Sequence, residues 1–277
     1  MTKDYCVLMS VYSKENAEFL RLALMSMLTQ TVPPRQLVLV ADGGLTPALD
    51  EVIKDICGIY PDTMEVVRLP ENRGLANALN MGLAHCRYEL IARMDSDDIS
   101  MPRRCAYELY WLQKTGSDIV SATVSEFEDT PAHITSHKVL PREHCEILEY
   151  ARTRNPFNHP AVMFRKSAVL AAGGYEDYRF FEDYQLWVRL LQGGCRGYNI
   201  RRPLLWMRTG SGMFRRRGGA GYLKCAHRME KYKLSSGFCS RWEYIKRMTA
   251  MTVFSLSPAF LRERLYKGLL RNREKER

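Results

Sequence analysis

The stretch YELIARMDSDD, residues 88–98, joins the two patterns that decide how this chain folds and where its polar chemistry lies. It begins as a hydrophobic run typical of a buried β-strand and leads directly into Asp95, Asp97 and Asp98. Such closely spaced carboxylates repel one another unless a cation or hydrogen-bond donors compensate them, and Mg²⁺ and Mn²⁺ prefer oxygen ligands. The cluster is therefore either a divalent metal site or a polar turn in which Asp98 or Ser100 caps the next helix.

Strand-like and helix-like segments alternate on both sides of this stretch. The predicted strands span residues 5–10, 36–41, 64–69, 88–94 and 118–124. The predicted helices span residues 17–30, 46–59, 75–86 and 102–114. Strands that alternate with helices of this length predict a Rossmann-like α/β fold, with a mostly parallel sheet flanked by helices and right-handed crossovers.

Polar residues follow four of the predicted strands. Tyr12 comes after the first, Asp42 after the second, Asn72 after the third and Asp95 after the fourth. In an open parallel sheet, ligands bind beyond the carboxyl ends of the strands. The acidic cluster thus lies where a ligand is expected, which favours the metal site over the helix cap.

The second part of the chain has a different rhythm. Its pattern predicts a loop over 126–137, a strand over 161–165, a helix over 180–192 and a last strand over 204–208. After residue 210 the sequence is helical and basic and is punctuated by glycine. We therefore expect one α/β domain over 1–209 and a basic helical C-terminal region over 210–277.

Positive charge is concentrated in the last quarter of the chain. Residues 1–200 contain 21 Lys and Arg against 26 Asp and Glu, whereas residues 201–277 contain 20 against 5. This asymmetry predicts an anionic partner for the C-terminal region, either a nucleic acid or a membrane surface. The longest apolar stretch there, 248–261, contains Pro258 and is shorter than the roughly 20 residues of a spanning helix, so membrane contact would be peripheral.

Composition limits the remaining classes of protein. A chain of 277 residues with 46% hydrophobic residues can bury a full core. Its eight cysteines include no C-x-x-C pair, which argues against a zinc knuckle or a thioredoxin-like motif and for reduced thiols. Residues 1–12 lack the charged-then-apolar pattern of a signal sequence, so a cytoplasmic location is expected.

Two further segments carry candidate binding residues. Residues 72–74 precede a helix start, where backbone N–H groups attract an anion, although the glycine there is equally compatible with an ordinary turn. Asn77 lies on the first turn of that helix and is either a ligand or an exposed cap. Strand alternation puts Arg93 on the same face as Asp95, where it would pair with the carboxylate or reach a phosphate.

Candidate acid–base residues lie later in the chain. Glu182 and Asp183 begin a helix, where a partly desolvated carboxylate can act as a general base but can equally complement the helix dipole. His159 is a lone loop histidine, a type that more often serves as a structural hydrogen bonder. Arg215 and Arg216, beside glycines, form a basic segment suited to phosphate or simply to a solvated surface.

Six motifs follow one another in an order that resembles a known family. They are SVY at residues 10–12, DGG at 42–44, NRGLANALNxG at 72–82, RMDSDD at 93–98, HP at 159–160 and EDYQLW at 182–187. Each is weak alone, but their succession over nearly the whole chain resembles the family 2 glycosyltransferases of the GT-A fold. The chain is similar above all to the bacterial members that build O-antigen, capsule and exopolysaccharide, the amylovoran type.

The resemblance implies a reaction and its partners. A hexose, glucose or galactose, would pass from a UDP-sugar to a saccharide on undecaprenyl diphosphate with inversion of the anomeric centre. Asp95 and Asp97, with Asp98 beside them, would hold Mn²⁺ or Mg²⁺ against the diphosphate. The protein would lie peripherally on the inner face of the cytoplasmic membrane, where other polysaccharide-assembly enzymes are candidate partners, and would bind no nucleic acid.

The resemblance also implies roles for individual residues. Nucleotide-sugar binding would use Val11, Tyr12, Asp42, Asn72, Gly74, Asn77, Arg93, Asp95 and Ser96. Asp183 would be the general base, with Glu182 as the second choice. Contacts to the acceptor and its diphosphate would come from His159, Trp187, Arg215 and Arg216. The chain departs from the family at Ala41 and Gly44, where many members have a second acid and a serine.

Three alternatives remain at this level. A catalytically inactive GT-A-like scaffold would bind nucleotide-sugar or polysaccharide, but the intact Asp95, Asp97 and Asp183 argue against it. A nucleic-acid-binding protein fits the basic tail, although the tail fits an anionic membrane equally well. A nucleotidyltransferase would show an N-terminal glycine-rich loop, which residues 10–16 lack.

Overall fold

A computed structural model describes residues 4–210 and 219–257 of the protein. The strands in these ranges are β1 (Tyr5–Val11), β2 (Gln36–Ala41), β3 (Met64–Arg68), β4 (Leu90–Arg93), β5 (Ile99–Ser100), β6 (Ile119–Phe127), β7 (Ile134–Lys138), β8 (Val162–Arg165) and β9 (Gly197–Arg208). The helices are α1 (Ala17–Leu28), α2 (Pro47–Ile59), α3 (Leu75–His85), α4 (Arg104–Thr115), α5 (His144–Ala151), α6 (Lys166–Ala171), α7 (Glu182–Gln192), α8 (Gly219–Ser235) and α9 (Arg241–Leu256).

The strands form one sheet in the order β3-β2-β1-β4-β8-β6-β9-β5, and β7 pairs with β6. The first four strands of that order are parallel, and β6 and β9 are also parallel to each other. Between these two groups lies β8, which is antiparallel to both β4 and β6. The predicted α/β fold, with strands β1 to β4 each leading toward a helix, is present.

Continuous apolar runs explain the centre of the sheet. All residues of β2 and all but one of β1 are buried, as expected for parallel strands that are covered on both faces. Helix α1 begins where the Asn16 side chain accepts hydrogen bonds from two backbone N–H groups, and α2 begins at Pro47 after the capping Thr46. One apolar core lies on the α1–α2 side of the sheet and a second lies on the α3–α7 side.

Helix α3 approaches the sheet closely because Gly82 has no side chain. A Cβ atom at this position would lie 2.9 Å from Val40 Cγ2 and would also collide with Leu8. The close approach holds the start of α3 over the carboxyl ends of β1 and β2, where the predicted binding residues lie.

The structure corrects parts of the expected second half. The loop predicted over 126–137 is partly wrong, because β6 continues to Phe127 and β7 begins at Ile134. The last strand starts at Gly197 rather than at 204, and it stays paired with β6 to its end. Strand β7 has the largely polar sequence ITSHK and α5 has only eight residues, so neither segment was recognised in the sequence.

Helix α8 packs on α7 through a small cluster that includes Tyr184, Val188 and Met229. The Lys233 side chain is fully buried at this contact, forms an ion pair with Glu230 (Nζ to Oε2, 2.8 Å) and donates hydrogen bonds to the Arg152 carbonyl (3.0 Å) and the Tyr184 hydroxyl (3.0 Å). Among the helices of the described ranges, none is long and apolar enough to cross a membrane. The division into domains at residue 209 stays a prediction.

Candidate active site

The acidic cluster lies just beyond β4. Asp95, Asp97 and Asp98 each offer a carboxylate oxygen, and these oxygens lie within 4.8 Å of one another. Burial, followed by repulsion from the neighbouring carboxylates, raises the pKa of Asp97 to about 7 and raises the pKa of Asp98 well above its usual value. An oxygen-only donor set that is short of positive charge fits Mg²⁺ or Mn²⁺.

The alternative role of this cluster as a helix cap is wrong. Helix α4 follows Arg103 and has no side-chain cap. Asp98 Oδ1 instead accepts a hydrogen bond from the backbone N–H of Arg208 over 2.8 Å, and Arg208 Nε donates to the Asp97 carbonyl over 3.1 Å. The cluster is therefore fixed by β9, more than 100 residues later in the chain.

A second contact holds the cluster from the other side. Ser96 Oγ donates to Glu15 Oε2 over 2.6 Å, which ties the acidic turn to the segment after β1. Ser96 is 7% exposed, so its hydroxyl serves this contact. Sequence reasoning missed Glu15 and Arg208 because neither lies near the cluster in the chain.

Arg93 is the buried cation of the site. Its side chain is 2% exposed and forms an ion pair with Asp95. Burial opposes its charge, but the carboxylate of Asp95, with smaller contributions from Tyr175 and Asp183, outweighs this and raises the pKa of Arg93. Within the part of the chain that the structure describes, its Nε and Nη1 groups have no hydrogen-bond acceptor. Two buried N–H donors are thus left for an anionic ligand.

The end of β4 is held by a buried ion pair that the sequence did not reveal. Arg104 Nε donates to Glu108 Oε1 over 2.8 Å, and both side chains are fully buried. Arg104 Nη2 also donates to the Arg93 carbonyl over 2.7 Å. Arg104 therefore fixes the backbone from which Arg93 projects.

Asp42 organises the loop between β3 and α3. Its Oδ1 accepts from the backbone N–H of Arg73 over 2.7 Å, and its Oδ2 accepts from that of Gly74 over 3.0 Å. Asn72 Nδ2 donates to the Asp42 carbonyl over 3.3 Å. Gly43 has φ +85°, and a Cβ there would lie 2.8 Å from the backbone nitrogen of Asn72, so glycine is required. The contacts of Asp42 in this structure are with the loop, and its contact with uridine stays a prediction.

The other predicted nucleotide ligands line the same edge of the sheet. Val11 is buried at the end of β1, and the ring of Tyr12 is 41% exposed. Gly74 precedes α3 with φ +84° and supplies no side-chain cap, so the first N–H groups of the helix have no side-chain acceptor among the residues that the structure describes. Asn77 Nδ2 donates to the Arg73 carbonyl over 2.9 Å, which fixes the loop that leads into α3.

The acidic pair at the start of α7 has two different environments. Asp183 accepts hydrogen bonds from Asn155 Nδ2 (2.6 Å) and from the backbone N–H of Tyr184 (2.7 Å). Burial nevertheless raises the pKa of Asp183 above its usual value, while these donors oppose the rise. Burial and the charge of Asp183 raise the pKa of Glu182 to about 7. Sequence reasoning missed Asn155, although it stands just before the HP motif.

His159 and Trp187, two of the residues expected to contact the acceptor, are both buried. His159 is 9% exposed, and its Nε2 lies 3.0 Å from the Tyr175 hydroxyl. Burial and the positive charge of Arg93 lower the pKa of His159 well below its usual value, so the ring is neutral. Trp187 is fully buried, with its ring centroid 5.9 Å from that of His159, and this placement does not support direct contact with an acceptor. Arg215 and Arg216 lie outside the described residues.

One latch joins the nucleotide side of the site to the α7 side. Asn80 on α3 donates through Nδ2 to the Tyr175 carbonyl over 2.7 Å and accepts from the Tyr175 N–H over 2.8 Å. The negative charges of Asp95 and Asp183 both raise the pKa of Arg93. The structure therefore brings the metal candidates, the buried arginine and the candidate base into one site.

Comparisons with known proteins agree with this arrangement. The family model for glycosyl transferase family 2 matches residues 6–173. A UDP-Gal:alpha-D-GlcNAc-diphosphoundecaprenol beta-1,3-galactosyltransferase of Escherichia coli is 35% identical over 271 residues, which cover 98% of each protein. The amylovoran biosynthesis glycosyltransferase AmsE of Erwinia amylovora is 35% identical over 270 residues, covering 95% of this chain and 100% of that protein.

A solved glycosyltransferase structure is also similar to this chain in fold. A mannosyltransferase from Pyrobaculum calidifontis, solved in complex with GDP-Man and Mn²⁺, superposes with a TM-score of 0.66 at 16% identity, covering 96% of this chain and 75% of that one. This likeness concerns the fold alone, and it confirms the GT-A architecture expected from the sequence. With its motifs, its fold and its relatives in agreement, the chain belongs to glycosyltransferase family 2 and resembles the members that build bacterial surface polysaccharides.

Proposed function

We propose that the protein transfers a hexose, galactose or glucose, from a UDP-sugar to a saccharide carried on undecaprenyl diphosphate, with inversion at the anomeric carbon. The observation that carries this proposal is Arg93, whose buried guanidinium pairs with Asp95 of the acidic cluster and interacts electrostatically with Asp183 of α7. A donor diphosphate at the cluster would then place its sugar toward the candidate base. The name of the Escherichia coli relative supports a UDP-sugar donor and a diphosphoundecaprenol-linked acceptor, and the name of the Erwinia amylovora relative supports a product used in polysaccharide synthesis.

The leaving diphosphate is assigned to the acidic cluster. Asp95, Asp97 and Asp98 would hold Mn²⁺ or Mg²⁺, and the ion would neutralise the charge that develops on UDP. The two unpartnered N–H groups of Arg93 would donate to phosphate oxygens, and the uncapped start of α3 would bind the same anion through its backbone. The uracil and ribose of the donor would bind beside Tyr12 and Asp42.

Bond formation is assigned to Asp183. Its ionised carboxylate would take the proton from the acceptor hydroxyl as that oxygen attacks the anomeric carbon opposite UDP. The N–H donors of Asn155 and Tyr184 fix its orientation. Glu182, with a pKa of about 7, is the second candidate for this role.

The acceptor side is assigned to the surface above neutral His159 and to Arg215 and Arg216. A lipid-linked acceptor places the enzyme peripherally on the inner face of the cytoplasmic membrane, where the basic residues after 200 would meet anionic lipids. Other polysaccharide-assembly enzymes are candidate neighbours there.

A transfer assay tests the proposal. The protein with Mn²⁺ is offered UDP-galactose, UDP-glucose or UDP-GlcNAc and a GlcNAc-diphosphate-lipid analogue, and products are read by mass and by anomeric configuration. We expect one hexose to be added with inversion. Asp183→Asn should bind the UDP-sugar but lose about 10²- to 10⁴-fold in turnover. Asp97→Asn should lose Mn²⁺ binding by calorimetry, whereas Asp62→Asn, at an exposed acid, should change neither.

One outcome would overturn the assignment of the base, and another would overturn the proposed function. Near-wild-type turnover by Asp183→Asn would move the base elsewhere. Binding of UDP-sugars without transfer to any diphosphate-lipid acceptor would favour the alternative, a nucleotide-sugar-binding scaffold.

A further inference from the structure

Helix α9 has an apolar face that no described residue covers. Trp242, Ile245 and Val253 are 71%, 53% and 61% exposed, and Trp242 is the most exposed large apolar side chain of the residues that the structure describes. Steps of three and eight residues keep these side chains on one side of the helix. A cluster of large exposed apolar side chains is typical of a surface that binds a protein, a ligand or a membrane.

The opposite face of α9 accounts for its packing. Met251 is buried, and Arg247 Nε lies 3.6 Å from Glu230 Oε1 of α8. Tyr244 Oη lies 3.3 Å from His227 Nδ1, also on α8. Helix α9 is thus oriented by α8, and its apolar face points away from the contact that orients it.

The charge around this face is positive. Arg241 and Lys246 are exposed, and Lys246 stands one turn after Trp242, within the apolar face. Between residues 219 and 257 the chain has seven Lys and Arg and two acids, Glu230 and Glu243. Glu230 is buried in an ion pair with Lys233, and Glu243 is engaged in the capping box of α9. The surface therefore presents cations without matching acids of its own.

We propose that this face of α9 binds an anionic lipid bilayer, with Trp242, Ile245 and Val253 inserted at the level of the headgroups. Tryptophan prefers the membrane interface, and a helix that is apolar on one side and basic around it lies in the interfacial plane. Lys246 can keep its ammonium group among anionic headgroups while its stem lies along the apolar surface. A protein partner is disfavoured because lysine is depleted at protein–protein interfaces.

This inference rests on the proposed function for its biological sense, since an undecaprenyl-linked acceptor stays in the membrane. Helix α8 connects the two sites. Lys233 of α8 donates to the hydroxyl of Tyr184, the residue after Asp183. A bilayer bound to α9 would therefore orient the start of α7 relative to the membrane surface.

Vesicle flotation of the full chain tests the inference. The protein is mixed with vesicles of phosphatidylcholine with about 30% phosphatidylglycerol, or of phosphatidylcholine alone. We expect binding to the anionic vesicles, and we expect the variant Trp242→Ser/Ile245→Ser/Val253→Ser to bind them about tenfold more weakly or worse. The control Ile59→Ser changes a 62% exposed side chain on α2 and should bind as the wild type does.

Insertion is tested separately from binding. Brominated lipids should quench the fluorescence of Trp242, and Trp242→Phe should remove most of that quenching. Wild-type affinity in the triple variant, or equal losses in the triple variant and Ile59→Ser, would overturn the inference. So would a wild-type dimer that the triple variant dissociates while vesicle binding is unchanged, because the face would then join two copies.

A water-soluble acceptor analogue keeps this test distinct from that of the proposed function. The triple variant should transfer sugar to it at a rate within about twofold of wild type, because none of the three residues contacts the site. Vesicle binding without any transfer by the wild type would reject the proposed function alone. Transfer without vesicle binding would reject the inference alone.

Discussion

At the scale of single residues, two opposing effects act on the pKa of Asp183. Burial favours its protonated form, and the hydrogen bond from Asn155 favours the ionised form that a base requires. The balance makes Asn155 a positioning residue whose contribution appears in the pH dependence of the rate.

The variant Asn155→Ala should shift the acid limb of the turnover profile to higher pH. A base works ionised, so the rate falls as pH drops through its pKa, and loss of the 2.6 Å hydrogen bond raises that pKa further. A hydrogen bond to a charged group is worth about 1.5–3 kcal/mol, so the limb should move by about one pH unit or more. Turnover measured from pH 5 to 9 checks this.

A control variant and one contrary outcome decide how that measurement is interpreted. Asp183→Asn should show no such limb, because its side chain does not titrate. An Asn155→Ala limb at the wild-type pH, with only a lower plateau, would contradict the assigned role and leave Asn155 with a purely structural one.

The same scale shows which site residues a sequence can reveal. Asp95, Asp97 and Asp183 stand out because each belongs to a compact local pattern. Glu15 and Arg208 do not, because their contacts with the acidic cluster span 81 and 110 residues of chain. Such contacts depend on strand order, and the position of β9 beside β6 was not predictable from local periodicity.

At the scale of elements, the loop before α7 is set by its latch to α3. Asn80 makes two hydrogen bonds with the backbone of Tyr175, and Gly174 beside it has φ +74°. A Cβ on Gly174 would lie 2.6 Å from Asn80 Oδ1, so any side chain there displaces the latch. The loop, in turn, leads to the start of α7 and its carboxylates.

The pair Gly174→Ala and Gly194→Ala separates the latch from backbone strain. Both glycines have positive φ, but nothing lies within 4 Å of a Cβ on Gly194. Both variants should lose about 1 kcal/mol in the free energy of unfolding from strain, and Gly174→Ala should lose a further 1–3 kcal/mol or so with the latch. Urea unfolding measures this, and turnover should fall only in Gly174→Ala. Equal losses would show that the latch contributes nothing.

Element prediction succeeded where apolar periodicity was strong. The alternation of strands and helices was visible above all around β1 and β2, because these two strands are buried on both faces and read as continuous apolar runs. The sequence ITSHK of β7 is short and largely polar, since one side of that strand faces solvent, and it looked like part of a loop. Partner strands, and not local propensity, make such a segment a strand.

At the scale of the whole molecule, the charge asymmetry of the sequence corresponds to a structural junction. The helices between residues 219 and 257 carry seven of the 20 basic residues that follow residue 200, and they are joined to α7 by the buried Lys233. Burial lowers the pKa of Lys233, while Glu230 opposes that effect. The Lys233 ammonium group donates to the Tyr184 hydroxyl of α7 and to the Arg152 carbonyl at the end of α5, and these two contacts tie α8 to the rest of the molecule. The sequence showed the charge but not the junction, because nothing local distinguishes a buried lysine from an exposed one.

The pair Lys233→Met and Lys231→Met tests this junction. Each variant removes one lysine and one trypsin site, but Lys231 is exposed whereas Lys233 is fully buried. Removing one partner of a buried ion pair costs about 3–5 kcal/mol, and the lower end applies because Arg247 still lies 3.6 Å from Glu230. Lys233→Met should therefore release α8 from α7, and trypsin should then cut within 219–257 faster than it does in Lys231→Met. Turnover should also fall in Lys233→Met, because Tyr184, the residue after Asp183, loses its hydrogen-bond partner. Matching cleavage and turnover in the two variants would mean that the C-terminal helices are held elsewhere and act independently of the active site.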